Sequence, residues 1–360
     1  MIMAAWACGQ LVNGVAKIQR AWVKNLISGI VIIAMLGLAI LSALSFMNIY
    51  RQPMTRIAAS EWIYQHVPGA INLTLADGGK EFIQPLAYPN YTILNPGDSI
   101  TFEFLPIFEG EITSIYFDHI INLSGSDTSS AVNIVISSDN TGEVLYSQTV
   151  RGTFLRTSDP RGDPLEIFLE KPIRLKKGQQ YRFFLSSINL HDQLQLFGNI
   201  NLEIASENSV FKQPIFEFTH LLDNANGFEE RFSPIQDSLL TGIYFFRWLP
   251  VDEVTSVEAD IRIIELNSEK ELIHQIFQIE ANELRDYRGS PVSLFFDQPI
   301  LLSKNNTYIL DIQLQNIDAK IAVNGSKTVK ETDWDDALPL YMYGYDPFDI
   351  YNGVYASDLN

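Results

Sequence analysis

The chain has 360 residues, of which 46% are hydrophobic and 12% aromatic, and its formal net charge is −18 at pH 7. That much apolar sequence can form more than one core, which excludes intrinsic disorder for most of the chain. A surface this acidic repels a phosphate backbone, so nucleic acid is not an expected partner. Cys8 is the only cysteine, so no disulfide can form within the chain.

The first predicted element is a transmembrane helix over residues 25–48. No charged side chain occurs between residues 26 and 47, and a helix of that length crosses a hydrocarbon core of roughly 30 Å. Residues 1–24 carry three bases and no acid, so the positive-inside rule places them in the cytoplasm and the bulk of the chain outside the cell membrane. A cleaved signal peptide is the competing interpretation, but the apolar run exceeds a usual signal core. We therefore expect a single-pass protein whose first partner is the lipid bilayer.

Residues 49–80 are predicted to form an amphipathic helix and a strand. Apolar side chains recur at helical spacing from Met54 to Trp62, and the pattern stops near Pro68. Residues 70–75 then alternate apolar with polar side chains, as a strand does. A helix followed by a strand is typical of an α/β unit.

The middle of the chain contains two copies of one module. Similar sequence recurs 127 positions later, pairing Pro164 with Pro291, Pro172 with Pro299 and Tyr181 with Tyr308. Upstream, residues 115–117 match 243–245 and residues 82–85 match 211–214, with offsets of 128 and 129. Loops absorb insertions whereas packed strands do not, so this drift is expected of duplicated domains.

Both copies have the pattern of an antiparallel β-sandwich. Short runs of β-branched and aromatic residues alternate with turn clusters, without a convincing helical period. We predict a mainly β protein with two tandem, jelly-roll-like sandwiches over residues 81–207 and 208–331. Arg161-Gly162-Asp163 matches an integrin-type tripeptide, but its counterpart in the second copy, Arg288-Gly289-Ser290, indicates a turn that both copies share.

Residues 332–360 are rich in acids and aromatics, and we expect this segment to be incomplete. Asp333, Asp335 and Asp336 surround Trp334. Such carboxylates can hold Ca²⁺, or can hydrogen-bond sugar hydroxyls while the indole stacks on a pyranose. The other interpretation is a solvated acidic loop whose tryptophan fills a core.

Two tyrosines of the same segment complete the candidate set for glycan or cation binding. Tyr343 and Tyr345 alternate with Met342 and Gly344, which is also the pattern of a strand with one aromatic face. Ca²⁺ is the one cofactor that the sequence suggests. No catalytic residue is assigned, because the sequence contains no nucleophile elbow, P-loop, dinucleotide fingerprint or zinc-ligand spacing.

The segments on either side of the repeats resemble a known family. Residues 50–64, closing on Val67-Pro68-Gly69-Ala70, and the element Trp334-Asp335-Asp336-Ala337-Leu338-Pro339-Leu340 resemble late parts of bacterial membrane glycosyltransferases of family 39, the dolichyl-phosphate-mannose protein mannosyltransferase-like GT-C type. Proteins of Chloroflexota-like bacteria are the most similar. The resemblance covers residues 25–75 and 331–355. It implies an enzyme that takes sugar from a polyprenyl-phosphate carrier outside the membrane.

The part of that family that performs catalysis has no counterpart in this chain. The resemblance places the catalytic acid in an early extracytoplasmic loop, and no residue here matches it, so the chain is not expected to be catalytic by itself. The flanking helix, strand and acidic segment fit one small α/β unit that is split by the inserted sandwiches.

Two functions follow from the sequence. The first is a membrane-anchored extracytoplasmic accessory region of a glycosyltransferase-like protein, whose sandwiches bind or position a glycan, an acceptor or a polyprenyl-linked sugar. The alternative is a non-enzymatic cell-surface adhesion or spacer protein with tandem sandwich modules.

Overall fold

The structure is a computed structural model that describes residues 66–326, with gaps at 125–129, 156–158, 160, 190–192, 207–208, 253, 255, 281–285 and 318. Between Trp22 and Met47 it describes scattered positions, all of them α-helical. The predicted helices within 25–48 and 49–80 therefore lie mostly outside the described residues. No helix in the described part is both long and apolar enough to cross a membrane. The chain divides into two compact units, Met1–Ser60 and Glu61–Asn360, and the second contains every strand below.

The described residues form nineteen strands. Those of the first half are β1 (Ile71–Asp77), β2 (Lys80–Pro85), β3 (Tyr91–Leu94), β4 (Ser99–Phe104), β5 (Gly110–Asn122), β6 (Ser130–Ser138), β7 (Val144–Gly152), β8 (Asp163–Leu175), β9 (Tyr181–Ser187) and β10 (Leu194–Ser206). Those of the second half are β11 (Ser209–Glu217), β12 (Leu221–Leu222), β13 (Phe228–Phe232), β14 (Ser238–Val251), β15 (Ser256–Glu265), β16 (Lys270–Glu280), β17 (Ser290–Leu302), β18 (Tyr308–Leu314) and β19 (Lys320–Asn324).

Strands β3 to β11 form sandwich 1. One sheet has the order β11-β10-β5-β8, with β3 also paired to β10, and the other has the order β4-β9-β6-β7. In one sheet β10 lies between β3 and β5, and in the other β9 lies between β4 and β6. This is the jelly-roll arrangement, which confirms the β-sandwich part of the predicted fold. Alternate side chains of both sheets fill the core, where the ring of Phe102 stacks on Phe183 at 5.1 Å and on Phe216 at 4.4 Å.

Strands β12 to β19 form sandwich 2 in the same order. One sheet contains β12-β19-β14 with β17 paired to β14, and the other is β13-β18-β15-β16. The first of these sheets also contains β1 and β2. Ile71, Leu73 and Leu75 of β1 are fully buried in the core of sandwich 2.

The hairpin β1–β2 in sandwich 2 has a counterpart in sandwich 1, which is the hairpin formed by the second half of β10 and by β11. Ile71 lies opposite Phe245 in β14, just as Ile200 lies opposite Phe117 in β5. The repeating unit therefore starts at these hairpins, and each repeat gives its first hairpin to the sandwich that the other repeat builds. The hairpins begin before the boundaries predicted at residues 81 and 208, and the strand within 49–80, which was predicted to belong to an α/β unit, lies in a sheet of sandwich 2. Alternation predicts a strand but not its partner, because any half-buried sheet satisfies it.

The two ends of the described region meet in sandwich 2. Strand β10 runs through sandwich 1 without a break, whereas its counterpart in sandwich 2 is divided between β19 and β1. At the division, the backbone N–H of Ser326 donates to the carbonyl of Pro68 at 3.1 Å. A Cβ on Gly325 would lie 2.8 Å from the backbone nitrogen of Ala70, so this approach requires glycine.

The sandwiches share a packed interface where the chain crosses between them. The Thr92 hydroxyl donates to the carbonyl of Thr219 at 2.6 Å, and the Thr219 hydroxyl lies 2.9 Å from the carbonyl of Val323. Leu249 and Val251 of sandwich 2 pack into the core of sandwich 1. The inter-sandwich surface is therefore part of the fold rather than a loose linker.

The Arg-Gly-Asp tripeptide forms the shared turn that its counterpart predicts. Gly162 and Gly289 have φ of +99° and +105°, and a Cβ on either would lie 2.3 Å from a backbone carbonyl oxygen. Each turn is fixed by an aspartate two residues before its arginine: Asp159 accepts from the N–H of Arg161 at 2.8 Å, and Asp286 from that of Arg288 at 3.0 Å. A conformation that only glycine adopts readily explains why both copies keep this residue.

Candidate functional site

The predicted site residues Asp333, Trp334, Asp335, Asp336, Tyr343 and Tyr345 all lie outside the described residues. The glycan and Ca²⁺ interpretations of that segment therefore stay predictions. Within the described ranges of 66–326, no group of three or more acidic, histidine or cysteine side chains is placed to hold a metal ion.

A cleft of about 340 Å³ opens on the outer face of the four-stranded sheet of sandwich 1, and sandwich 2 contributes one of its walls. It is lined by Thr101, Ser137, Arg182, Phe184 and Asp252. Concave sites with one aromatic surface and a few fixed polar groups are the usual form of small-ligand sites.

Regular alternation places these side chains on one face. In β9, Tyr181, Phe183 and Leu185 point into the core, so Arg182 and Phe184 face outward. Thr101 in β4 and Val135 in β6 lie directly beside Phe184. Phe184 is thus a half-buried aromatic ring whose direct cross-strand neighbours, Thr101 and Val135, have short side chains.

Acidic side chains hold Arg182 in place. Its Nη2 lies 2.7 Å from Asp139 Oδ1 and 3.6 Å from Glu103 Oε1. Glu103 also receives a hydrogen bond from the side-chain amide of Gln180. The guanidinium is half-buried, and these acids fix its orientation.

Asp252 reaches the cleft from sandwich 2. Its backbone N–H donates to the carbonyl of Thr101 at 2.7 Å, and its Oδ1 accepts from the N–H of Thr101 at 3.2 Å. Burial raises the pKa of the Asp252 carboxyl, an effect that the ammonium of Lys320 and the hydrogen bonds from Thr101 oppose. The residue has φ of +70°, a conformation that non-glycine residues seldom adopt and that costs of order 1 kcal/mol.

The equivalent face of sandwich 2 has different chemistry. The counterparts of Phe184 and Val135 are Asp311 and Arg262, which lie side by side on β18 and β15. Asp260 is buried between Arg262, at 2.9 Å, and Nε2 of His274, at 3.1 Å. Burial opposes ionisation of Asp260, but the hydrogen bond and charge of Arg262 together with His274 outweigh it and lower the pKa. This face pairs its own charges and leaves no aromatic ring at its centre.

The cleft residues were not identified from the sequence, although part of the signal was present. The alternation of residues 181–185 shows that Arg182 and Phe184 share the face opposite the core. The contribution of Asp252 has no sequence signal, because its contact with Thr101 joins residues 151 positions apart.

No family model and no curated protein matches the chain. Among solved structures, similarity extends to the M60 catalytic domain with the CBM51-1 and CBM51-2 domains from Clostridium perfringens ZmpB, with 6% identity over 71% of this chain and 35% of that chain and a TM-score of 0.17. The chain thus spans about a third of the length of that structure.

Two further structures are matched over most of their own length. PNGase F, a glycosylasparaginase from Flavobacterium meningosepticum, is 11% identical over 71% of this chain and 95% of that chain, with a TM-score of 0.18. The CBM22-1-CBM22-2 tandem domain from Paenibacillus barcinonensis Xyn10C is 10% identical over 72% and 92%, with a TM-score of 0.16. TM-scores this low support no inference about function, which therefore rests on the residues of this chain.

Proposed function

We propose that the paired sandwiches are the glycan-binding accessory region of a membrane-anchored, extracytoplasmic, glycosyltransferase-like protein. The observation that carries the proposal is the cleft at Phe184, where a half-buried ring is surrounded by the hydroxyls of Thr101 and Ser137, the guanidinium of Arg182 and the carboxyl of Asp252. A pyranose has an apolar face for the ring and hydroxyls for the polar groups, so its chemistry matches this set.

The position of the two ends favours an accessory region over the alternative, a spacer. Pro68 and Ser326 are hydrogen-bonded to each other, so the chain enters and leaves the described pair at one place. A spacer separates the segments before and after it, so its two ends lie far apart. Domains whose two ends lie together instead project from the protein into which they are inserted. The anchor within residues 25–48 and the family relationship are the parts of the proposal that come from sequence alone.

A glycan array probed with the full chain tests the proposal. The chain is kept in detergent micelles without sugar head groups, because a maltoside would compete for the cleft. We expect binding to a defined set of glycans, and we expect Phe184→Ala to abolish it because stacking on an aromatic ring is lost. Phe168→Ala is the matched control, since Phe168 is an exposed aromatic on the other sheet of the same sandwich.

Three results would count against the proposal. An array without a signal for the wild-type chain removes the glycan-binding role and favours the adhesion or spacer alternative. Equal loss of binding in Phe184→Ala and Phe168→Ala would show that the cleft is not the site. Wild-type binding by Phe184→Ala would show the same.

A further inference from the structure

The two cations near the cleft, Arg182 and Lys320, are already bound to oxygen atoms of the protein. The guanidinium of Arg182 is shared between Asp139 at 2.7 Å and Glu103 at 3.6 Å. The nearby ammonium of Lys320 donates to the backbone carbonyl of Ser99 at 2.8 Å. Both cations are thus already orientated toward protein oxygens.

In the described part of the chain only one oxygen of the Asp252 carboxyl accepts a hydrogen bond: Oδ1 accepts from the N–H of Thr101 at 3.2 Å. Asp252 lines the cleft. Two hydrogen bonds fix its position: its backbone N–H donates to the carbonyl of Thr101, and the N–H of Thr101 donates to its Oδ1. Asp252 has an uncommon φ of +70°, and its carboxyl meets Thr101 of sandwich 1 across the boundary; strain of this kind persists where the surrounding structure enforces it, often at functional positions. Burial raises the pKa of this carboxyl, because desolvation disfavours its charged form.

We infer that the cleft selects sugars without negative charge and that Asp252 is the residue that determines this selectivity, an inference that rests on the proposed glycan-binding function. Asp252, Glu103 and Asp139 carry three negative charges against the two positive charges of Arg182 and Lys320. A hydroxyl or amine of a neutral or amino sugar donates to Asp252. The carboxylate of a uronic acid, or a sugar phosphate, meets Asp252 as a like charge in a partly desolvated site, where discrimination against the wrong ligand is strongest.

A matched pair of oligosaccharides tests the selectivity. The full chain, in micelles without sugar head groups at pH 7.5 and low salt, is titrated calorimetrically with a neutral oligosaccharide identified on the array and with its 6-carboxylate counterpart. We expect the neutral sugar to bind at least about tenfold more tightly, and we expect Asp252→Asn to reduce that ratio to below about threefold, because a like-charge contact is removed. Asparagine tolerates positive φ, and a thermal melt checks that the variant is folded.

Asp311→Asn is the control, since Asp311 lies on the equivalent face of sandwich 2, and we expect it to keep the wild-type ratio. Tighter or equal binding of the carboxylate sugar overturns the inference and leaves the proposed function standing. An unchanged ratio in folded Asp252→Asn also overturns it, because the selectivity then comes from other groups. Absence of binding by both sugars at millimolar concentration overturns the proposed function, and the inference with it.

Discussion

The two sandwiches have equivalent cores and unlike outer faces. Ile200 lies opposite Phe117 in one and Ile71 opposite Phe245 in the other, all four being buried. On the four-stranded sheets, the outward positions of sandwich 1 include Thr101, Val135, Ser137, Arg182 and Phe184, and the corresponding positions of sandwich 2 are Glu229, Arg262, Ile264, Ile309 and Asp311.

The difference shows which constraints act on each surface. A jelly-roll core requires apolar side chains at alternate positions, so both copies keep them. An outer face can change its chemistry without changing the fold, and among the described residues of these two sheets only those of sandwich 1 place an aromatic ring among hydroxyls. The duplication has thus supplied two frameworks of which one carries the candidate site.

The largest loss of stability should come from substitutions in the exchanged hairpins. Leu73 and Leu202 are fully buried counterparts in β1 and β10. Substitution of either by alanine should cost about 3 kcal/mol of unfolding free energy, because it leaves a cavity in a core. Hydrogen exchange should show lost protection in sandwich 2 for Leu73→Ala and in sandwich 1 for Leu202→Ala. Loss in sandwich 1 for both variants would contradict the exchange.

A smaller difference should separate the two arginine turns. Both arginines pair with the aspartate of their own turn, Arg288 with Asp286 and Arg161 with Asp159. Arg288 lies in addition 3.8 Å from Glu217, a carboxylate of sandwich 1 whose side chain is 3% exposed. Arg288→Met should cost about 3 kcal/mol because it removes a cation from beside a buried carboxylate, and Arg161→Met about 1 kcal/mol. Chemical denaturation measures both values. Equal losses of unfolding free energy in the two variants would show that the Arg288–Glu217 pair does not contribute to stability.

The charged face of sandwich 2 should make stability depend on acid. Because the pKa of Asp260 is lowered in the folded state, its contribution is present above the ordinary carboxyl pKa and is lost as pH falls through the folded value. Asp260→Asn should cost about 1 to 2 kcal/mol at pH 7 and progressively less below pH 4. Melting temperatures of both proteins between pH 3 and 7 measure this. A difference in melting temperature between wild type and Asp260→Asn that stays constant from pH 3 to 7 would contradict the lowered pKa of Asp260.

The smallest effect on stability is expected in the sheets that contain β5 in sandwich 1 and β14 in sandwich 2. Leu239 and Leu301 lie opposite each other and are 43% and 72% exposed, and their counterparts in sandwich 1 are Glu111 and Arg174. The double variant Leu239→Glu/Leu301→Arg should change the unfolding free energy by less than about 0.5 kcal/mol, as exposed cross-strand ion pairs do. Denaturant titration of the double variant checks this, and a change above about 2 kcal/mol would mean that the exposed leucines have a packing role.

The sequence predicted the parts of the fold that repeat. Two jelly-roll sandwiches follow from turn spacing and alternation, and the shared turn follows from Gly162 having Gly289 as its counterpart. The exchange of hairpins was not predicted, although the match of residues 82–85 to 211–214, directly after the boundaries assigned at 81 and 208, already related the second strands of the two hairpins to each other. Periodicity reports which face of a strand is buried and gives no information about which sheet the strand joins.

The candidate site was predicted less well for a related reason. Trp334 attracts attention because aromatics and acids adjoin in sequence, whereas Phe184 and Asp252 adjoin only after folding. That both line one cleft depends on the packing of the two sandwiches, and no local pattern encodes such packing.

Hydrogen exchange on the full chain with and without a glycan from the array tests the central claim most directly. We expect added protection in residues 99–104, 132–138 and 181–187, which form the face around Phe184, and no change in residues 256–265 and 308–314 of sandwich 2. Protection centred on sandwich 2, or protection of equal size on both sandwiches, would contradict a single binding face on sandwich 1.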